Sequence, residues 1–203
     1  MKSRALRRRA FAAIVFAALL GLLALGGTVA ALSGLTSNDN NRVSSGTVSL
    51  QDNDLGATMF SLSGMKPGNT SSACIKVTFT GSLASTVRLY GTTTGTGLEQ
   101  YVSLQITRGS YSGAEPSFPS CTNFSADSTT YITGQSTGVM YAGTLSGFPT
   151  SWGAGQVDPT SGSPETWTTN TSHVYKIQLT LGDNATAAGK NATQTFTWEA
   201  QNN

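Results

Sequence analysis

Short runs in which apolar and polar residues alternate, each ended by glycine, asparagine, aspartate or proline, fill this chain from about residue 46 onward. In residues 73–79, Ala73, Ile75, Val77 and Phe79 fall on one side, and Cys74, Lys76 and Thr78 on the other. Residues 101–107 group Val102, Leu104 and Ile106. Residues 174–181 group Tyr175, Ile177, Leu179 and Leu181, and residues 193–200 group Phe196, Trp198 and Ala200. A period of two places successive side chains on opposite faces of a strand, so each run buries one face and wets the other. Weaker runs at 47–50, 57–62, 86–90 and 139–145 bring the expected strands to about eight. Residues 184–190 have room for one helical turn, and the chain after its leader has no long stretch of helical period. Half-buried strands in this number close a core by stacking two sheets. The predicted fold is therefore all-β: a jelly-roll-like antiparallel β-sandwich with long loops at 91–97, 109–135 and 146–171. The turn chemistry agrees. Lys66-Pro67-Gly68-Asn69 combines a proline that presets φ with a glycine that accepts a positive one, and Asp52-Asn53-Asp54 reads as an Asx turn.

The N-terminus is of another kind. Lys2, Arg4, Arg7, Arg8 and Arg9 make a basic start, and no side chain from Ala10 to Leu32 is charged. The apolar run ends in Gly26-Gly27-Thr28-Val29-Ala30-Ala31. Small residues one and three positions before a bond suit a signal peptidase, so Thr28 and Ala30 predict cleavage between Ala30 and Ala31. The same run is long enough for an uncleaved anchor, which is the competing expectation. The domain plan is a signal helix at 1–30, a polar flexible arm at 31–45 and a sandwich at 46–203. Membrane contact is expected only through the uncleaved leader.

Charge then excludes one class of partner. The whole chain holds 12 basic and 10 acidic residues, but five of the basic ones lie in the leader; seven basic against ten acidic remain, a net charge of −3. A mildly acidic domain has no electrostatic reason to seek nucleic acid. Charged residues are only 11% of the chain, well below the quarter or so of an ordinary globular protein. Cys74 and Cys121 both follow the leader. In an oxidising compartment two such thiols pair, and a disulfide is expected between them; free buried cysteines are the alternative.

Several segments together resemble a known family. They are Ser45-Gly46-Thr47-Val48-Ser49-Leu50, then Met59-Phe60-Ser61-Leu62-Ser63-Gly64-Met65-Lys66-Pro67-Gly68, then Gly81-Ser82-Leu83, after a leader ending Gly26-Gly27-Thr28-Val29-Ala30. In this order they resemble the TasA/camelysin family, and the ending Thr195-Phe196-Thr197-Trp198-Glu199-Ala200-Gln201-Asn202 resembles its actinobacterial members. The resemblance covers the leader and residues 31–90 and does not reach 109–171. It implies export through a signal peptidase of the SipW type, a jelly-roll domain, and a role as a secreted or cell-surface matrix protein. It also implies self-association into a homopolymer by donor-strand complementation, in which an N-terminal arm adds a strand to the next subunit. Here that arm begins Ala31-Leu32-Ser33-Gly34-Leu35, with Leu32 and Leu35 as its apolar anchors. A disordered terminus is the plain alternative.

Because camelysins have been classed as metalloproteases, catalysis must be weighed. A catalytic zinc takes about three protein ligands, usually including histidine. His173 is the one histidine, HExxH is absent, and a lone histidine at a strand start reads as a surface residue. No GxSxG surrounds a serine, and Gly91-Thr92-Thr93-Thr94-Gly95-Thr96-Gly97 lacks the lysine of a phosphate-binding loop. No catalytic residue, metal ligand or cofactor is expected. The alternative to a fibre subunit is a monomeric module binding carbohydrate or another ligand, with Trp152 and Trp167 as stacking platforms in the long loops. Those indoles would equally serve to cap the core.

Overall fold

The computed structural model describes residues 33–35, 46–159 and 164–202 of the chain. The expected leader, its cleavage site at Thr28, Ala30 and Ala31, and the anchor Leu32 lie outside the described residues. Within them the chain forms β1 (Ser33–Leu35), β2 (Leu50–Asp52), β3 (Thr70–Phe79), β4 (Thr86–Gly95), β5 (Val102–Tyr111), β6 (Phe124–Ala126), β7 (Val139–Thr144), β8 (Gln156–Val157), β9 (Ser172–Leu181) and β10 (Ala192–Gln201). One sheet has the order β1-β10-β4-β8. The other runs β2-β3-β9-β5, and β6 and β7 share the far edge of β5. Every pairing is antiparallel. After β3 the chain crosses to the first sheet for β4, returns for β5 to β7, and then alternates through β8, β9 and β10. The expected jelly-roll-like sandwich is the fold.

The alternation seen in sequence selects the faces. Ile75, Val77, Phe79, Leu104, Ile106, Tyr175 and Ile177 from one sheet meet Val87, Leu89, Trp198 and Ala200 from the other in a single buried cluster. Tyr175 and Trp198 touch across the layers, their ring centroids 5.2 Å apart. These residues are large, apolar and inward, so their burial supplies the main drive to stack the sheets. Cys74 lies on the opposite face of β3 yet is fully buried, because the 112–123 loop covers it and Cys121 closes a disulfide with it at a Cα–Cα distance of 5.1 Å. A closed disulfide accords with an oxidising compartment. Among the described residues no helix is long and apolar enough to cross a membrane.

Three strand expectations need correction. Residues 57–62 form no strand. The outer edge of β3 is occupied by other partners from Cys74 to Phe79: β2 pairs with Val77 to Phe79, the Lys76 N–H donates to Asn53 Oδ1 (2.9 Å), and the Cys74 N–H donates to the Pro119 carbonyl (2.9 Å). The 47–50 strand shifts to Leu50–Asp52. The threonine-rich loop expected from residue 91 is the second half of β4, where Thr92, Thr93 and Thr94 pair with Thr195, Gln194 and Thr193. β-branched side chains favour the pleat, and facing threonines stabilise it. Gly91 permits that pairing, since any Cβ there would collide with the backbone of Thr195.

Candidate functional site

β10 has two edges of different character. Its inner edge pairs with β4 over the whole strand, from Ala192↔Gly95 to Gln201↔Thr86. Among the described residues its outer edge pairs with β1 at Ser33↔Gln201, Gly34↔Ala200 and Leu35↔Glu199. Among the described residues, positions 192–198 have no strand on that side. An edge of this kind presents a row of backbone donors and acceptors able to template another strand. On the outer edge of β3, by contrast, a short strand, one side chain and one loop carbonyl supply partners from Cys74 to Phe79.

Beside the open stretch lies an apolar groove of about 650 Å³. Phe196 of β10 and Leu179 and Leu181 of β9 belong to its wall, with Leu98, Val102 and Leu145. Met59, Phe60, Leu62 and Met65 face them from the β2–β3 connection, the segment expected to be a strand. Leu62 is exposed. Among the described residues Lys190 is the one charged residue in the lining, beside the hydroxyls of Thr58, Ser63 and Thr193. The many apolar side chains around it suit the groove to binding apolar side chains.

A second constellation is polar and internal. Arg108 continues the inward face of β5, opposite Tyr175 of β9, and is buried. Its Nε lies 2.7 Å from Asp158 Oδ1, an ion pair without the alignment of a hydrogen bond. One terminal nitrogen donates to Asp127 Oδ2 (2.7 Å) and the Tyr131 hydroxyl (3.0 Å). The other meets Glu165 and lies 2.6 Å from His173 Nε2. Tyr175 donates to the second oxygen of Asp158, and Tyr131 to Asp127 (2.6 Å). Asp158 directly follows β8, so this cluster ties the two sheets together through charge where the apolar core ends. Gly109 next to it lets β6 approach, since a Cβ would strike the Ser125 backbone.

Burial raises the Asp158 carboxyl to about 7 even though the Arg108 guanidinium pulls it down. His173 shifts the other way: burial, and then the adjoining Arg108, hold its imidazole below the ordinary value. The signs oppose each other. An acid with a raised value contributes stability at low pH that is lost as pH climbs to about 7. A histidine with a lowered value contributes stability above its unfolded pKa of about 6.5, lost as pH falls through it. The difference between the wild type and His173→Gln isolates the second contribution. Urea denaturation from pH 7.5 to 5 is expected to show the wild type losing ground to the variant as acid is added; a constant difference would show that His173 does not titrate against Arg108.

The candidate residues from sequence fall in several places. Cys74 and Cys121 are paired. Leu35 ends β1, on the edge of β10. Trp152 begins a short 3₁₀ turn, with the Arg88 guanidinium 5.2 Å over its ring and donating to the Trp152 carbonyl (3.0 Å), so one indole face is already covered. Trp167 is not a platform. It is fully buried, edge-on to His173, and its backbone bridges to Ser85, so it caps the core. His173 is likewise no surface residue: its Nε2 lies 2.6 Å from an Arg108 terminal nitrogen and 3.3 Å from Glu165 Oε1. The Asp52-Asn53-Asp54 segment is the Asx turn expected, with Asp52 Oδ1 accepting from the Asp54 N–H (3.3 Å) and Asp54 Oδ1 from the Gly56 N–H (2.7 Å). Among the described residues no group of three metal-ligating side chains occurs. The groove and the Arg108 cluster escaped the sequence reading. The one available signal was Arg108 on the inward side of the Val102, Leu104, Ile106 alternation.

No protein-family model matches the chain, and no curated protein matches it.

Proposed function

We propose that this chain is a secreted structural subunit of extracellular-matrix or cell-surface fibres, assembling by exchange of its N-terminal arm between copies. The observation that carries the reading is the outer edge of β10, paired at Glu199, Ala200 and Gln201 and flanked over 192–198 by the apolar groove. The same backbone bonds that β1 makes within one copy serve equally between two copies, so exchange sacrifices no hydrogen bond. A donor that pairs further along β10 and sets an apolar side chain in the groove gains over the internal arrangement. Such a contact is head-to-tail, and one that does not close into a ring propagates as a filament. The leader resembling those of the TasA/camelysin family supports a trigger: a SipW-type peptidase cutting after Ala30 would release the arm from the membrane. Pairing within one copy then competes with pairing between copies, which makes assembly depend on concentration.

Negative-stain microscopy and sedimentation of the processed protein test this. The processed form is expected to give threads, and deletion of residues 31–35 is expected to give monomers. Threads that survive the deletion would remove the arm as donor. Leu62→Asp separates binding from folding: Leu62 is exposed, so stability should change by no more than about 0.5 kcal/mol, while assembly drops at least tenfold. Wild-type assembly by that variant would place the groove outside the contact.

A further inference from the structure

Three side chains on the outer edge of β3 stand in the order that an amide exchange requires. Asn53 continues the line of β2 and presents its carboxamide oxygen to the Lys76 backbone N–H at 2.9 Å. Its amide nitrogen donates to Glu115 Oε1 at 3.1 Å. The Lys76 ammonium donates to the other oxygen of the same carboxylate at 2.7 Å. One carboxylate thus bridges a nucleophile and a leaving group, and a backbone N–H polarises the carbonyl between them.

We propose that Lys76 and Asn53 form an intramolecular isopeptide bond, with Glu115 as the proton carrier. The Lys76 ammonium gives a proton to Glu115, and the free amine attacks Asn53 Cγ, forming the Nζ–Cγ bond. Negative charge gathers on Oδ1, where the Lys76 backbone N–H already points, as a single-donor oxyanion site. Glu115 returns the proton to Nδ2, the Cγ–Nδ2 bond breaks, and ammonia departs, leaving as ammonium with the second amine proton. Glu115 ends as the carboxylate it began as, and no oxidant, metal or other reactant enters. The three groups are held together by the fold, so the attack is intramolecular.

The surroundings suit a cross-link. Glu115 comes from the 112–123 loop that the Cys74–Cys121 disulfide pins to β3, two residues from Lys76. The new bond would fasten β2 to β3 and anchor the root of the β2–β3 connection whose far part lines the groove. Lys76 and Glu115 are about one-third open to solvent, with side-chain exposures of 32% and 37%. Only an uncharged amine attacks, so hydroxide, which removes ammonium protons, quickens the reaction.

Intact-mass measurement of the full secreted chain, fresh and after incubation at neutral pH and pH 9, tests the proposal. The wild type is expected to become lighter by one ammonia, faster at the higher pH. A tryptic digest should then yield a branched peptide joined through Lys76 and Asn53. Lys76→Arg keeps a cation for Glu115 and the fold, yet should retain its full mass, and Glu115→Ala should slow the wild-type change at least tenfold. Ring closure of Asn53 onto its own backbone would also release ammonia. Loss of ammonia that persists in Lys76→Arg would therefore overturn the proposal, as would a wild-type mass unchanged at both pH values.

Discussion

Arg108→Ala is expected to destabilise the domain by about 3–5 kcal/mol, the cost of stripping a buried ion pair of one partner. Asp158 is fully buried and has two neighbours that favour its charge, the Arg108 guanidinium and the Tyr175 hydroxyl. Without the guanidinium the carboxylate faces the core with one hydroxyl, and it takes up a proton rather than stay charged. Asp127 and Glu165 are more open, with side-chain exposures of 22% and 35%, so they recover water and contribute less to the loss. Two signatures follow. The deficit should shrink on moving from pH 8 to pH 5, because an acid whose value is raised further contributes stability at low pH and loses it as pH climbs. Adding Asp158→Asn to Arg108→Ala should restore about 1–2 kcal/mol, since a buried amide is left less unsatisfied than a buried carboxylate. Denaturant melts of the three proteins at both pH values check this; equal deficits throughout would show that the cluster acts through packing alone.

Replacing Cys74 and Cys121 together by alanine should cost a similar amount. The bridge joins residues 47 apart, and closing a loop of that length removes about 4 kcal/mol of unfolded-chain entropy. A second loss is local. The 112–123 loop shields the outer face of β3, accepts from the Cys74 N–H through the Pro119 carbonyl, and carries Glu115 to Lys76 and Asn53. Freed of its tether, that loop should exchange its amides faster and the β2 end of the sheet should fray first. Hydrogen exchange on the double variant reads both. If only global stability falls and β2 stays as protected as the rest, the loop is held by its own hydrogen bonds. Against a typical total of about 5–15 kcal/mol, either loss leaves a marginal domain.

Strand existence was legible because it depends on local chemistry. The strongest alternations, at β3, β5, β9 and β10, were placed within a few residues, and their inward faces are the core. The disulfide followed from compartment and count. What failed were segments whose state depends on a distant partner. Residues 57–62 look like a strand by pattern, yet no strand of either sheet pairs with them, and they line the groove instead. Residues 91–95 look like a loop by composition, yet Thr193 to Thr195 were waiting across the sheet. Trp167 and His173 lie near turn residues, and only the bridge of Trp167 to Ser85 and the approach of Arg108 to His173 enclose them.

Period-two patterning, two cysteines and a scarcity of ionisable side chains were enough, on their own, to determine a disulfide-bonded all-β sandwich. Those properties are written along the chain, and each can be read within a window of ten or twenty residues. The pairing of β1 with one end of β10, the groove beside that strand, the charge cluster around Arg108 and the meeting of Lys76, Glu115 and Asn53 were decided only in three dimensions. Each joins residues far apart in sequence, and which backbone groups remain unpaired is known only after every other strand has chosen its neighbour.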